Sequence, residues 1–128
     1  MTESDSPSDL ELQILSVLWE DEPVPVREVL EKLPDGKSRA YTTILSSLQV
    51  MEKKGLVKRA RSGRTDQWSS AVKRDNILGL QVDRLVSHGF SGRASGLTQC
   101  SLDRAVDGDD LAEIQTMLDA RREQKGGE

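Results

Sequence analysis

SRAYTTILSSLQVMEKKG, residues 38–55, continues directly into LVKRARSGRTDQWSS, residues 56–70, and the pattern changes between the two. Within 38–54, apolar side chains recur at spacings of three and four residues, which predicts an amphipathic helix. Ser38 is a candidate N-cap, and Lys53-Lys54-Gly55 has the cations and the glycine that commonly end a helix. We therefore expect one helix here, followed at once by extended chain.

The second part of the stretch predicts a β-hairpin. Apolar and polar residues alternate in 57–72 around Ser62-Gly63-Arg64, which has the composition of a tight turn. Basic side chains are concentrated in the first strand and the turn, at Lys58, Arg59, Arg61 and Arg64. The hairpin should therefore carry positive charge toward its tip.

The outer face of the predicted helix is unusual because it is uncharged. Its residues are Thr42, Thr43, Ser46, Ser47 and Gln49, where a solvated helix would favour Glu and Lys. Ser and Thr hydroxyls compete for backbone groups, so they are mediocre helix formers. Short hydroxyl side chains can, however, approach base edges closely, and Thr can present a methyl group to thymine. The face is a candidate for insertion into a DNA groove; the alternative is an exposed surface on which these residues are merely tolerated.

Two shorter helices are predicted upstream. DLELQILSVLWED begins at Asp9, with Ser8 or Asp9 as N-cap, and VREVLEKL lies between the prolines of EPVP and Pro34. Three helices followed by a basic hairpin make a winged helix-turn-helix domain, whose recognition helix enters the major groove with its N-terminal residues against base edges. Arg39, at the start of the predicted recognition helix, is a candidate contact to guanine or phosphate.

The chain after residue 73 has a different character. Three modest helices are predicted, and a chain with 35% hydrophobic residues and 3% aromatic residues offers them little core, so an intermolecular interface would supply the missing burial. We predict a mainly α protein with a small β-hairpin. Its expected segments are a disordered tail at 1–8, a winged helix-turn-helix domain at 9–73, a helical dimerisation domain at 74–122 and a disordered tail at 123–128. The expected interface residues are Leu78, Val82, Leu85, Val86, Leu111, Ile114, Met117 and Leu118.

The charge is unevenly distributed along the chain. Residues 1–23 carry −7, residues 24–74 carry +7 and residues 75–128 carry −4, which together give the net charge of −4. A basic block within an acidic protein favours a polyanionic partner. A solvated basic surface would give the same pattern, so charge alone does not decide.

Several other classes of function find little support. Cys100 is the only cysteine and His88 the only histidine, so neither an internal disulfide nor a Cys-built metal site can form. We expect Cys100 to be a small buried hydrophobic side chain. No phosphate loop, nucleophile elbow or zinc pattern occurs, and we expect neither enzymatic activity nor a cofactor. No apolar run is long enough to span a bilayer, so a cytoplasmic protein without membrane insertion is expected.

The motifs of the first half resemble those of the penicillinase-repressor family, the BlaI/MecI/CopY-type transcriptional regulators. The Leu-Trp-Glu near Trp19, the Tyr-Thr-Thr run from Tyr41 and the Lys-Lys-Gly-Leu-Val exit into the hairpin match at family spacing. The resemblance is specific over 9–73 and looser over 74–122. It implies a homodimeric repressor that binds a palindromic double-stranded DNA operator.

Carried over by position, the resemblance implies roles for particular residues. Tyr41, Thr42 and Thr43 would read bases or enter the groove, with Arg39 beside them, and Arg61 and Arg64 would contact phosphates. From the residues alone, Tyr41 could instead close the helix against the core. The DNA-contacting set we expect is Arg39, Tyr41, Thr42, Thr43, Ser46, Lys58, Arg59, Arg61 and Arg64.

The inducing signal is where the chain departs from the family. The copper-responsive branch carries paired Cys-x-Cys motifs, which a chain with one cysteine lacks. The β-lactam-responsive branch is relieved by cleavage in the C-terminal domain, at Asn-Phe in staphylococcal members, but the comparable stretch here is LTQCSLDRA. The resemblance thus leaves proteolysis through a membrane sensor-protease system as one way of relieving repression. It does not support cleavage at an Asn-Phe bond in this chain. The competing hypothesis is a winged-helix protein-interaction module, which would have no need for clustered wing arginines.

Overall fold

The computed structural model describes residues 7–34, 38–104 and 106–126. The predicted tail residues 1–6 and 127–128, and the turn at 35–37, lie outside the described residues. Of the described residues, those up to Leu80 form one compact unit and those from Gln81 a second, so the division falls within a helix and not at residue 73. The elements are α1 (Asp9–Asp21), α2 (Val26–Lys32), α3 (Tyr41–Lys54), β1 (Val57–Ser62), β2 (Thr65–Ser70), α4 (Arg74–Gly89), α5 (Ala94–Leu102) and α6 (Gly108–Gly126).

The first unit is a winged helix, with three helices and an antiparallel hairpin around one core. The apolar stripe of α3 is buried as its spacing predicted, through Ile44, Leu48 and Met51. Ile77 of α4 also belongs to this core, although it follows the predicted domain boundary. The buried apolar side chains among the described residues are Ile14, Leu15, Val17, Leu18, Val24, Val26, Val29, Leu33, Ile44, Leu48, Met51, Leu56, Val57, Trp68 and Ile77.

A capping box fixes the start of α1 and connects it to the end of α3. The Ser8 hydroxyl accepts from the Glu11 N–H at 3.2 Å, and the Ser8 N–H donates to the Glu11 carboxylate at 2.9 Å. The Lys54 ammonium also donates to that buried carboxylate, at 3.0 Å. Lys54 therefore does more than balance the dipole at the end of α3, because it anchors α3 to α1.

The Glu11 carboxylate should make stability depend on pH. Burial acts to raise the pKa of Glu11, but the Ser8 hydrogen bond and the Lys54 charge outweigh it and lower the pKa below its ordinary 4.5. The contribution is present above pH 4.5 and is lost as the pH falls through the lowered value. Glu11→Gln should therefore cost about 1 kcal/mol at neutral pH and flatten the acid limb of the unfolding free energy measured in urea. Glu20→Gln, on the exposed face of the same helix, is the control. If the unfolding free energy of Glu11→Gln falls at acid pH as steeply as that of the unchanged chain, Glu11 is not the source of the pH dependence.

Helix α3 begins later than the sequence predicted. It starts at Tyr41 with Ala40 as N-cap, and no side chain caps it, so the prediction of a helix from Ser38 with a serine cap is wrong. The reason is local, because Ala40 has extended dihedrals (φ −81°, ψ 145°) and the first turn is closed by the Ala40 carbonyl, which accepts from Thr43 and Ile44. Arg39 thus precedes the helix and is half-buried, rather than lying in its first turn.

The predicted hairpin is confirmed, and two contacts join it to the rest of the unit. β1 and β2 pair from Val57↔Ser70 to Ser62↔Thr65, and Gly63 has a positive φ of 64° in the two-residue turn. Val24 and Trp68 exchange main-chain hydrogen bonds, of 3.0 and 2.7 Å. On the other side, the Trp19 indole donates to the Ser70 hydroxyl and to the Val72 carbonyl, at 2.9 and 3.1 Å.

The second unit, considered by itself, is poor in buried side chains. In the described residues of α5 and α6 none is buried, and Cys100 is half-buried, which corrects the expectation that it is buried. The Phe90 ring lies over Gly96, where a Cβ would come within 2.9 Å of it, so this small residue permits the contact. Helix α6 continues to Gly126, past the predicted tail boundary at residue 123, since Glu123, Gln124 and Lys125 are good helix formers. None of the described helices is both long and apolar enough to cross a membrane.

Candidate nucleic-acid interface

One side of α3 is exposed and uncharged over most of its length. Thr42, Thr43 and Ser46 are exposed there, followed by Gln49 and Val50 one turn further on. The opposite side is held in the core, and Lys54 is held by Glu11 at 3.0 Å, so the exposed side is presented on a fixed helix. Ser47, which the sequence placed on this face, is half-buried. Short hydroxyl and amide side chains on a fixed helix provide hydrogen-bond donors and acceptors of the kind that pair with base edges.

A cleft of about 520 Å³ lies beside this face, between the starts of α2 and α3 and the tip of the hairpin. Arg27, Arg61 and Arg64 line it, and Asp66 is the acidic residue in the lining. Tyr41 also lines it and is 46% exposed, so its side chain is not buried in the core. Three guanidinium groups against one carboxylate make the cleft a positively charged recess of the kind that attracts phosphate.

Arg27 is the residue that the sequence analysis missed. It lies in the first turn of α2 and is exposed. The available signal was a basic residue at the start of the helix before the recognition helix, since that helix crosses the DNA backbone in the helix-turn-helix motif. Only the fold reveals that Arg27 and the wing arginines line the same cleft.

The first strand of the hairpin divides its three basic residues between two faces. Side chains alternate along a strand, so Arg59 and Arg61 share the face of buried Val57, while Lys58 lies on the other. Arg59 is engaged within the protein, at 3.2 Å from Glu52, 3.5 Å from Asp66 and 5.4 Å from the centre of the Trp68 ring. Its charge is therefore largely balanced locally.

Arg61 and Arg64 are the more available wing cations. The Arg61 side chain is 68% exposed, although its guanidinium also lies 3.5 Å from Asp66. Arg64 is exposed in the two-residue turn. The structure thus brings together the cleft residues Arg61 and Arg64 with Tyr41, and leaves Lys58 facing away from them.

The predicted interface residues in the C-terminal half are mostly uncovered in the single chain. Val82, Leu85, Leu111, Met117 and Leu118 are between 44% and 64% exposed. The remaining three, Leu78, Val86 and Ile114, are half-buried. Within the described ranges, no group of three or more His, Cys, Asp or Glu side chains is arranged to hold a metal ion.

Comparison with known proteins identifies relatives of the chain. The transcriptional regulator BlaI of Mycobacterium tuberculosis is 38% identical over 86 residues, which are 66% of this chain and 62% of that protein. The chain thus matches less than two thirds of that relative's length. The penicillinase repressor of Bacillus licheniformis is 19% identical over 119 residues, 92% of this chain and 93% of that one. The solution structure of the DNA-binding domain of the repressor BlaI is 24% identical with a TM-score of 0.49, covering 59% of this chain and 93% of that one.

The family profile extends further than the closely similar segment. The family model described as penicillinase repressor matches residues 7–120, which include the winged helix, α4, α5 and all but the last six residues of α6. The chain therefore belongs to the penicillinase repressor family.

Proposed function

We propose that the protein is a cytoplasmic, sequence-specific DNA-binding transcriptional repressor. The observation that carries the proposal is the exposed, uncharged face of α3 beside a cleft lined by three arginines. In this arrangement Thr42, Thr43 and Ser46 enter a major groove, where their hydroxyls hydrogen-bond to base edges. The cleft receives the flanking phosphate backbone, so affinity depends strongly on salt concentration.

The repressor acts on a palindromic operator as a homodimer. The support is the exposed apolar surface of the second unit, in which the described residues of α5 and α6 bury no side chain. A second copy would cover Leu111, Met117 and Leu118, and a two-fold protein matches a two-fold site. The Bacillus licheniformis relative is named a penicillinase repressor, which is a statement about that protein.

Proteolysis of the second unit relieves repression, through a sensor-protease partner. The support is the exposure of the chain around α5, since a protease requires accessible backbone. The Asn-Phe dipeptide does not occur in the sequence, so cleavage takes place at another bond.

A protein-interaction module is the competing function. Such a module could use the same exposed helix, but it would not require Arg27, Arg61 and Arg64 to line one recess. The two functions differ in their response to salt, because binding to DNA releases counterions from phosphates.

Two variants distinguish base reading from backbone contact. Thr42→Ala with Thr43→Ala should weaken binding to the promoter of the protein's own gene about tenfold and change binding to a shuffled duplex by less than about twofold. Arg27→Gln should weaken binding to both duplexes about equally, because it removes one phosphate contact. It should also reduce the slope of log affinity against log salt concentration by about 1. Fluorescence anisotropy with labelled duplexes across a salt series measures both effects.

Lys32→Gln is the matched control for Arg27→Gln. Lys32 lies on the same short helix but pairs with Asp21 at 3.0 Å, outside the cleft. Equal losses on the two duplexes for the threonine variant would show that these residues only position the protein. Absence of salt-sensitive binding to any duplex would overturn the proposed function.

A further inference from the structure

Helix α3 exposes a large apolar side chain that neither the core nor the proposed contacts explain. Val50 is 48% exposed. Among the described residues up to Leu80, the other exposed large apolar side chains are Tyr41 and Leu80. Two of these three therefore lie on α3, near opposite ends of the same helix.

Val50 lies on the face already assigned to the groove. Thr43, Ser46 and Val50 are spaced at i, i+3 and i+7, which places them in one row along the helix, and all three are exposed. A β-branched residue on an exposed helical surface lowers helix propensity, and Val50 is not among the buried core residues that would offset this cost. An apolar side chain at this position is therefore better explained by a contact made outside the chain.

We propose that Val50 packs against the 5-methyl group of a thymine in the operator. The proposal rests on the proposed function and extends the base-reading face of α3 from Thr42 to Val50. In the major groove the thymine methyl is the apolar group among the base-edge atoms, and an aliphatic side chain recognises it by contact. Thr43 and Val50 are separated by about 10 Å along the axis, or about three base-pair steps, so α3 lies along the groove instead of entering it only by its end.

The test removes either the methyl group of the base or the side chain that contacts it. The operator is first identified as a duplex from the protein's own promoter that the full chain retains at raised salt. Each thymine of one half-site is then replaced singly by deoxyuridine, which keeps base pairing and removes the methyl. At one position, replacement should weaken binding of the unchanged chain about fourfold, which corresponds to about 0.8 kcal/mol for one buried carbon group.

Val50→Ala should bind the unmodified operator about fourfold or more weakly and should lose sensitivity to deoxyuridine at that same position. Misfolding does not confound this variant, because alanine is the better helix former and Val50 is outside the core. The circular dichroism and urea midpoint should be unchanged or slightly higher. Thymines read by Thr42 or Thr43 stay sensitive in Val50→Ala and serve as internal controls.

The outcomes distinguish a failure of the proposed function from a failure of the Val50 contact alone. If the unchanged chain retains no specific duplex, the proposed function fails. If it retains one but Val50→Ala keeps every deoxyuridine sensitivity of the unchanged chain, the function stands and the Val50 contact is overturned. An unchanged operator affinity in Val50→Ala overturns it as well, and leaves Val50 as an ordinary exposed apolar side chain.

Discussion

A chain carrying both Leu111→Glu and Leu118→Glu should sediment as a monomer and bind its operator at least about a hundredfold more weakly than the unchanged chain. Each leucine is 50% exposed in the single chain, so the substitutions do not disturb a core within the protomer. They do place two carboxylates on one row of α6, since residues seven apart lie on the same face. If that row meets its copy in a dimer, four charges are buried without partners, which association cannot offset.

The loss of affinity follows from the loss of the second half-site. A dimer that has bound one half-site presents its second winged helix at a high effective concentration, which raises affinity by a factor of about 10² to 10⁴ over one domain. A monomer retains the contacts of α3 and the wing with one half-site and loses this factor. The variant should therefore bind a half-site duplex as well as the unchanged chain does.

Thr116→Glu is the matched control. Thr116 is exposed on α6 and its hydroxyl donates back to the Ala112 carbonyl at 3.0 Å, on the side away from Leu111 and Leu118. The control adds the same charge to the same helix and should remain a dimer in analytical ultracentrifugation. If the double-leucine variant stays dimeric, the dimer interface does not include this row of α6. If the unchanged chain sediments as a monomer, the proposed dimer itself is contradicted.

Features with a local cause were the ones that the sequence could predict. The buried row of α3, the N-cap of α1 at Ser8 (one of the two predicted candidates) and the turn at Gly63 each follow from side chains within a few residues of one another. The start of α3 was predicted too early because Ser38 has the composition of an N-cap. The helix nevertheless begins after the extended Ala40, whose carbonyl is sufficient to close the first turn.

Features that depend on distant pairing could not be read from spacing. Glu11 and Lys54 are 43 residues apart. Nothing in the sequence around either residue indicates that the lysine at the end of α3 pairs with a buried carboxylate of α1. The same holds at the candidate site. Arg27 joins the wing arginines only because the hairpin tip folds back toward α2, and Arg59 is balanced by carboxylates from α3 and β2.

Trp68→Ala should lower the free energy of unfolding by about 3–5 kcal/mol, the largest stability effect that we expect from a single substitution in this chain. Trp68 is fully buried, and its ring is the largest side chain in the core. The ring also supports Arg59, 5.4 Å away, and the strand that carries it is bonded through the main chain to Val24. Since single domains are stable by about 5–15 kcal/mol, this loss leaves the winged helix marginal.

Trp68→Phe is the control that separates the effect of lost side-chain volume from the effect of removing the indole N–H. The Trp68 indole N–H has no hydrogen-bond partner among the described residues, so phenylalanine removes a smaller volume and sacrifices no bond. It should therefore cost clearly less than alanine does, and it keeps an aromatic face beneath Arg59. In both variants Trp19 remains as the fluorescent reporter of urea unfolding, measured at one fixed protein concentration because a dimer's stability depends on it.

The two substitutions also test how the wing is held. The main-chain bonds between Val24 and Trp68 do not depend on the side chain, so they survive in principle in both variants. If packing of the ring is what orients the hairpin, Trp68→Ala should lose affinity for DNA even at temperatures where it is still folded, whereas Trp68→Phe should keep it. If Trp68→Ala binds DNA normally while folded, the main-chain bridge alone orients the wing, and the tryptophan contributes only stability.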